Sequence, residues 1–225
     1  MNAINHAATA LLIKSKYPQV PIIPILISVQ FIEIIWVVLN ILGVESTEFS
    51  NSVSSLADVH LVHMPFSHSL LFTCFWAALA WIFVSKVLGK PKWGIAISVG
   101  VFSHIFLDVL THSFDIELIP FIGLPEIGTG LYSIPLAALA FELLYCVFVW
   151  TVIKGSLITL TTLLVLNLFS ISFYLPQFQG PEGMLVNYPF VFAPVIGVHI
   201  IFGLISVWFL HNYEIKTPDS LLKSI

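Results

Sequence analysis

Six long apolar stretches constrain this chain more than any other feature. They cover roughly residues 20 to 43, 66 to 88, 93 to 112, 131 to 153, 156 to 174 and 190 to 211. Each is long enough to cross about 30 Å of hydrocarbon as a helix, the form in which a backbone in lipid satisfies its own hydrogen bonds. With 58% hydrophobic and 9% charged residues, the composition agrees. The sequence predicts an all-α, polytopic membrane bundle of about six transmembrane helices, with a short N-terminal helix that is re-entrant or interfacial.

The lysines fall on one side of the membrane if these segments alternate. They are Lys14, Lys16, Lys86, Lys90, Lys92, Lys154, Lys216 and Lys223. By the positive-inside rule we expect both termini in the cytoplasm of a bacterial-type inner membrane. The loops 44 to 65, 113 to 130 and 175 to 189 contain no lysine, so we expect them outside. Their acidic residues are Glu45, Glu48, Asp58, Asp115, Glu117, Glu126 and Glu182.

No boundary of composition or charge divides the chain. We therefore expect one integral membrane domain over residues 1–225, with a metal-site region at 1–130, additional helices at 131–212 and a short cytoplasmic tail at 213–225. The chain contains no arginine, so it has no electrostatic footprint for nucleic acid. Its two cysteines lie inside apolar runs and indicate neither a disulfide framework nor a thiolate metal site.

The third apolar stretch ends in Ser103-His104-Ile-Phe-Leu-Asp108-Val-Leu-Thr111-His112. Its two imidazoles and one carboxylate recur at i, i+4 and i+8, within an arc of roughly 80° on one helix face. Ionisable groups inside a membrane cost about 3 kcal/mol each on insertion scales, so three on one face need a shared purpose. A bound metal ion or a proton-handling site supplies one, whereas the alternative is a polar seam that joins helices.

Further polar residues lie at compatible depths. From the rise of about 1.5 Å per residue, Asp108 lies about 6 Å and His104 about 12 Å below the outer end of its span, with Glu33 about 15 Å deep. His68 begins near the same outer rim, and these groups can meet in a cavity that opens outward. His6 can reach these groups only if residues 3 to 13 form a re-entrant helix, because Lys14 and Lys16 hold the next residues at the inner surface.

Imidazole and carboxylate ligands without thiolates suit zinc, and manganese or iron also fit. Such an ion lowers the pKa of water and polarises a substrate oxygen, while a free carboxylate serves as general base. The candidate catalytic residues are Asp108, as a ligand, and Glu33, as base or second ligand. Glu142 either orients an imidazole or packs helices. We assign Gln30, Asn40, Asn167 and His199 to helix packing.

The order of these motifs resembles a known family. His6, the acidic position in the first span, Phe66-Ser67-His68-Ser69-Leu70-Leu71 and the Ser103 to His112 stretch are together similar to the membrane-bound metal-dependent hydrolases related to the LexA-regulated inner-membrane protein YdjM. The resemblance covers roughly residues 1 to 150. The family usually has Asp in a Pro-Asp setting where this chain has Gln30-Phe-Ile-Glu33.

Carried over by position, the resemblance implies roles for His6, His68 with Ser69, His104 and Asp108. His63 and His112 match a subgroup of similar sequences. The full set of candidate metal ligands is His6, His63, His68, His104, Asp108 and His112.

The leading hypothesis is a membrane-embedded hydrolase of an ester, amide or phosphoester in a lipid or lipid-linked substrate, with membrane lipids as its surroundings. Reactive groups about 6 to 15 Å below the surface suit a lipid better than a soluble polymer. One alternative is a metal-ion or proton transporter that uses the same polar line. The other is a non-catalytic structural protein in which a metal only joins helices.

Overall fold

The computed structural model of the chain describes residues 1–50, 58–175 and 187–216. Glu182, Lys223 and the end of the expected tail lie outside these described residues. The described ranges form eight α-helices and one β-hairpin, which confirms the predicted all-α membrane bundle. The helices are α1 Ala3–Lys16, α2 Ile22–Val29, α3 Phe31–Ile41, α4 Leu70–Ile82, α5 Pro91–Val109, α6 Pro135–Ile153, α7 Leu157–Leu168 and α8 Phe192–Lys216.

The hairpin was not predicted from the sequence. Its strands β1 Ser46–Phe49 and β2 Val59–His63 pair antiparallel in the first of the lysine-free loops. Apolar residues of both strands, Phe49, Val59 and Leu61, pack with Trp36 of α3 and Phe192 of α8. The hairpin therefore covers the end of the bundle next to these helices.

The described part of the chain has fewer full spans than the six predicted. Four helical segments are long and apolar enough to cross a membrane: Leu70–Val87, Pro91–Val109, Pro135–Ile153 and Pro189–Ile215. The helices α2 and α3 make a fifth only as a pair bent by 52°. The stretch 156 to 174 yields the 12-residue α7, about 18 Å long, because apolar composition alone does not separate a full span from a short helix inside a bundle.

Helix α1 lies at the centre of the bundle rather than at its surface. It packs against α2, α5, α6, α7 and α8. Every residue from Ile4 to Leu11 is at most 6% exposed, and the small side chains of Ala7, Ala8 and Ala10 allow these neighbours to approach closely. Of the two expected placements for the N-terminal helix, the structure has the one inside the bundle.

The outside of the bundle is more apolar than its centre. Phe75 on α4, Leu144 on α6 and Ile201 on α8 are each more than half exposed. Asn5, Gln30, Glu142 and Asn167 are fully buried. A surface of large apolar side chains is what acyl chains require, and the polar groups therefore face one another inside.

Candidate metal centre

Five predicted residues meet where several helix ends converge. His6 lies in the first turns of α1, Glu33 in the first turn of α3, and His68 directly before α4. His104 and Asp108 occupy the last turns of α5. The four residues other than Glu33 are at most 4% exposed. Glu33 also lies where the positive end of the α3 dipole favours a carboxylate.

The Nε2 atoms of His68 and His104 each lie close to both carboxylates. His104 Nε2 lies 3.1 Å from Glu33 Oε2 and 3.2 Å from Asp108 Oδ2. His68 Nε2 lies 3.3 Å from Glu33 Oε2 and 3.8 Å from Asp108 Oδ2. A tetrahedral zinc ion with bonds of about 2.0 to 2.1 Å sets its ligand atoms roughly 3.3 Å apart. The separations of Glu33 Oε2 from the two imidazole nitrogens fit such an ion, and all three ligand atoms lie within 4.8 Å of one another.

The hydrogen-bond partner of His104 determines which ring nitrogen can bind a cation. Its Nδ1 lies 2.9 Å from the carbonyl oxygen of Val29. A carbonyl only accepts, so Nδ1 donates and Nε2 of the neutral ring carries a lone pair. This carbonyl is free because the helix breaks at Gln30; in a continuous helix it would accept from the amide of Glu33.

When His104 is neutral and donates through Nδ1, the lone pairs of its Nε2 and of the two carboxylates converge without a hydrogen between them. Nε2 of neutral His104 faces two carboxylate oxygens, and electron-rich atoms at these distances repel one another unless a proton or a metal cation lies between them. A proton on His104 Nε2 would make a hydrogen bond to Glu33 and would place a charged imidazole against the His6 ring, whose centroid is 3.8 Å away. A divalent cation satisfies all of these atoms together, so the residues present fit a metal ion.

The two oxygens of Asp108 have different surroundings. Oδ1 accepts from the amino group of Met1 at 2.7 Å and lies 3.0 Å from His6 Nε2. Oδ2 is buried and has no hydrogen-bond partner among the described residues. His6, His104 and Asp108 form one set whose ligand atoms lie within 4.8 Å of one another, and Glu33, His68 and His104 form another. Oδ2 is the oxygen that is free to bind an ion.

A cavity of about 120 Å³ opens onto this cluster. Glu33, His68 and Asp108 lie on its polar side with His6 and His112. The rest of its lining is largely apolar. It comes from α3, the hairpin, the segment after α7 and α8, with the residues Trp36, Val59, Leu61, Phe173, Phe192 and Ile196. A small polar group can therefore reach the carboxylates while an attached apolar chain stays against the opposite wall.

The other two predicted ligands, His63 and His112, are not among these five residues. His63 is exposed on β2, and its ring faces Phe121 with centroids 6.3 Å apart. The predicted helix to residue 112 ends at Val109, so His112 follows it in a turn. His112 Nε2 is 3.9 Å from Asp108 Oδ1, and its Nδ1 is 3.6 Å from Asp115. His112 therefore lines the cavity rim, and His63 does not contact the cluster.

The cavity also includes residues that the sequence did not point to. Tyr132, Tyr174 and His199 line it, although His199 was assigned to helix packing. His199 lies on α8, far along the chain, and only its inward orientation distinguishes it from other polar residues in spans. Glu142 does not contact an imidazole. Its carboxylate accepts hydrogen bonds from Asn2 N, Asn5 Nδ2 and the hydroxyls of Tyr132 and Tyr174.

One comparison with known proteins gives a match. The family model described as YdjM inner membrane protein matches residues 40–179, more than half of the chain. No curated protein and no solved structure matches. The matched range includes His68, His104 and Asp108, whereas His6 and Glu33 precede it and join the cluster through the fold.

Proposed function

This chain belongs to the YdjM inner membrane protein family, and we propose that it is a membrane-embedded, metal-dependent hydrolase that acts on a lipid or lipid-linked substrate. The observation that carries the proposal is the convergence of imidazole nitrogens and carboxylate oxygens at 3.1 to 3.3 Å beside a cavity with an apolar wall. Nitrogen and oxygen ligands favour zinc, with manganese or iron as alternatives.

His68, His104 and Asp108 are the proposed metal ligands. Each imidazole faces the carboxylates through Nε2, and Asp108 offers the oxygen that lacks a hydrogen-bond partner. His6 is better placed as a donor to the other oxygen of Asp108. If its Nε2–H donates there, the orphaned buried Nδ1 is a bare lone pair, whereas the other tautomer leaves a buried N–H without an acceptor.

Glu33 is the proposed general base. Its side chain is 20% exposed and lines the cavity, whereas that of Asp108 is 2% exposed. When bound, a divalent ion supplies Lewis acidity, which lowers the pKa of water and polarises a substrate oxygen. Glu33 lies where it can accept the proton of such a water, and the closed walls around Asp108 keep bulk water from the ligands.

The charge of the residues around the cavity limits the classes of substrate that it can bind. No lysine is among the residues that line the described cavity, and the chain has no arginine. Nearby, burial and then repulsion from Asp115 and Glu117 raise the pKa of Glu126, which indicates a cluster of acidic groups. A phosphoester is negatively charged and would be repelled by these carboxylates, with only the metal to balance its charge. We therefore favour a neutral ester or amide over a phosphoester.

The apolar core supports a one-sided pocket over a transport pathway. Beyond His6, the faces of α1 carry Ala7, Ala8, Leu11 and Ile13 in an apolar cluster with α2 and α8. A pathway for ions needs polar groups across the full thickness of the membrane. The exposure of Glu33 to the cavity likewise supports a reactive site over a closed structural metal.

Helix directions support a site that opens away from the cytoplasm. The lysines of α1 lie in its last turn, Lys154 follows α6, and Lys86 and Lys92 flank the turn from α4 to α5. The cluster lies at the opposite ends of these helices. By the positive-inside rule we place the lysine-bearing ends in the cytoplasm. Met1 lies beside Asp108 at the other end, so this orientation puts Met1 on the side opposite to the one expected from the sequence.

Metal content tests the proposal. Purified protein should hold close to one divalent ion per chain, and His104→Ala or Asp108→Ala should abolish binding, as measured by elemental analysis after dialysis. His63→Ala is the matched control, because it removes an exposed imidazole outside the cluster and should leave the content unchanged. Unaltered stoichiometry in both cluster variants would contradict the assignment. Metal flux in proteoliposomes that depends on His104 would favour the transporter.

A further inference from the structure

A buried carboxylate outside the cluster is linked to His68 through one hydroxyl. Glu45 follows α3 and is 1% exposed. Its Oε1 accepts from the backbone amides of Phe66 and Ser67, each at 2.9 Å. Its Oε2 lies 2.6 Å from Ser67 Oγ, which in turn lies 2.9 Å from His68 Nδ1. Three donors thus satisfy a charge that would otherwise be costly to bury.

The chemistry of these groups sets the direction of each hydrogen bond. A carboxylate has no hydrogen to give, so Ser67 donates its single hydrogen to Glu45. The hydroxyl oxygen can then only accept from the imidazole, and the hydrogen of neutral His68 is held on Nδ1. Nε2, which faces Glu33 at 3.3 Å, is left with its lone pair.

We propose that Glu45 is a positioning residue that acts through Ser67 to keep the hydrogen of His68 on Nδ1 and Nε2 open toward the cluster. The consequence for metal affinity rests on the proposed function, whereas the consequence for the tautomer does not. His104 reaches the same state by a different route, because the carbonyl of Val29 accepts from its Nδ1 directly. The two imidazoles therefore offer the same nitrogen to an ion, and only one of them depends on Glu45.

The substitution Glu45→Gln should reverse the relay with almost no change of shape. The amide oxygen takes over the two backbone donors, and the amide nitrogen then points at Ser67 Oγ as a donor. Ser67 then accepts from Gln and is free to give its own hydrogen to His68 Nδ1. The ring hydrogen then favours Nε2, which must lose it before it can bind a metal.

The test measures the tautomer and the metal affinity separately. The metal-free protein is labelled with ¹⁵N-histidine and kept at alkaline pH so that its imidazoles are neutral. NMR then distinguishes the ring nitrogens that carry a hydrogen from those that do not. We expect the hydrogen of His68 on Nδ1 in the wild type and on Nε2 in Glu45→Gln, while His104 is unchanged as an internal control. Ser67→Ala should leave His68 as a mixture of both forms, and it carries the test if Glu45→Gln does not fold.

Zinc titration completes the test. Glu45→Gln should weaken zinc binding by about 10- to 100-fold, the usual cost of losing a group that orients a ligand. In a His68→Ala background the same change should have no further effect, since the relay acts only through His68. An unchanged tautomer, or an equal loss of affinity without His68, would overturn the proposal. A tautomer switch in a wild type that binds no zinc would support the relay and refute the proposed function.

Discussion

At the scale of single residues, the buried carboxylates fall into two kinds. Glu142 has donors on both oxygens, whereas Oδ2 of Asp108 has none in the described residues. Burial, and then the nearby charge of Glu142, raise the pKa of Tyr132 and Tyr174 well above the ordinary value, so both hydroxyls keep the hydrogen that they donate. A saturated carboxylate holds the fold together, and an unsaturated one is available for a ligand.

Glu142→Ala should destabilise the protein strongly. The change removes the side-chain acceptor of the Asn2 backbone amide, of Asn5 Nδ2 and of two tyrosine hydroxyls, at about 1–3 kcal/mol for each group left unsatisfied. Thermal unfolding in detergent should show a clearly lower Tm. Thr151→Ala, at an exposed position of the same helix, is the control and should leave the Tm unchanged. A Tm equal to that of the wild type would contradict the role of Glu142.

His6→Ala should weaken metal binding without abolishing it. His6 donates to Asp108 Oδ1 and orients that side chain, whereas His104 is a proposed ligand itself. Loss of an orienting group costs about 10- to 100-fold in affinity. Zinc titration should therefore rank wild type, His6→Ala and His104→Ala in decreasing order. If His6→Ala removed all bound metal, His6 would be a ligand instead.

At the scale of elements, the crossing of α2 and α5 builds half of the cluster. A Cβ added at Gly100 would lie 2.0 Å from Ser28 Oγ, so only glycine permits this approach. Gly100 precedes His104 by one helical turn, and Ser28 precedes Val29. The close crossing therefore brings the free carbonyl of Val29 to His104 Nδ1.

Gly100→Ala should push α2 from α5 and lower metal affinity. Gly94→Ala is a matched control on the same helix, since a Cβ there would lie 1.9 Å from Ser85 Oγ at the opposite end of α5. Both variants should lower the Tm in detergent, but only Gly100→Ala should also weaken zinc binding. Equal zinc affinity in the two variants would contradict the claim that the crossing of α2 and α5 positions the metal ligands.

At the scale of the whole molecule, the position of α1 is the feature that composition did not determine, because both a re-entrant and an interfacial helix were compatible with it. Residues 3 to 16 are too short to span, yet they lie inside the bundle with the His6 end at the cluster and the Lys14 end away from it. The central position of α1 follows from its buried polar contacts to α6 and α7. The bundle thus has a polar end and a lysine-bearing end.

Labelling of introduced cysteines in intact cells tests the orientation of these two ends. Glu126→Cys, on the exposed loop near the cluster, should react with a membrane-impermeant maleimide. Lys92→Cys, at the lysine-bearing end, should react only after the cells are opened. The unaltered chain gives the background from Cys74 and Cys146, of which Cys146 is buried. The opposite pattern would place the cavity on the cytoplasmic side.

The sequence predicted the membrane class and most of the cluster for identifiable reasons. His104 and Asp108 are one helical turn apart, so their juxtaposition is local, and both are rare and costly inside a span. His63 is also a suitable ligand by residue type, but whether it reaches the cluster depends on which face of the hairpin its side chain lies on. Apolar composition also predicted a span at 156 to 174, where the structure has the 12-residue α7, because composition does not fix where a helix ends.

By itself, the sequence determined that this chain is a helical membrane protein with polar groups concentrated toward one side, because hydrophobic length and helical periodicity are local properties. Only the tertiary structure decided that α1 turns His6 inward, that the break at Gln30 frees a carbonyl for His104, and that Glu45 reaches His68 through Ser67. These contacts join residues far apart in the chain. Their geometry depends on helix crossings and bends, which a one-dimensional pattern does not encode.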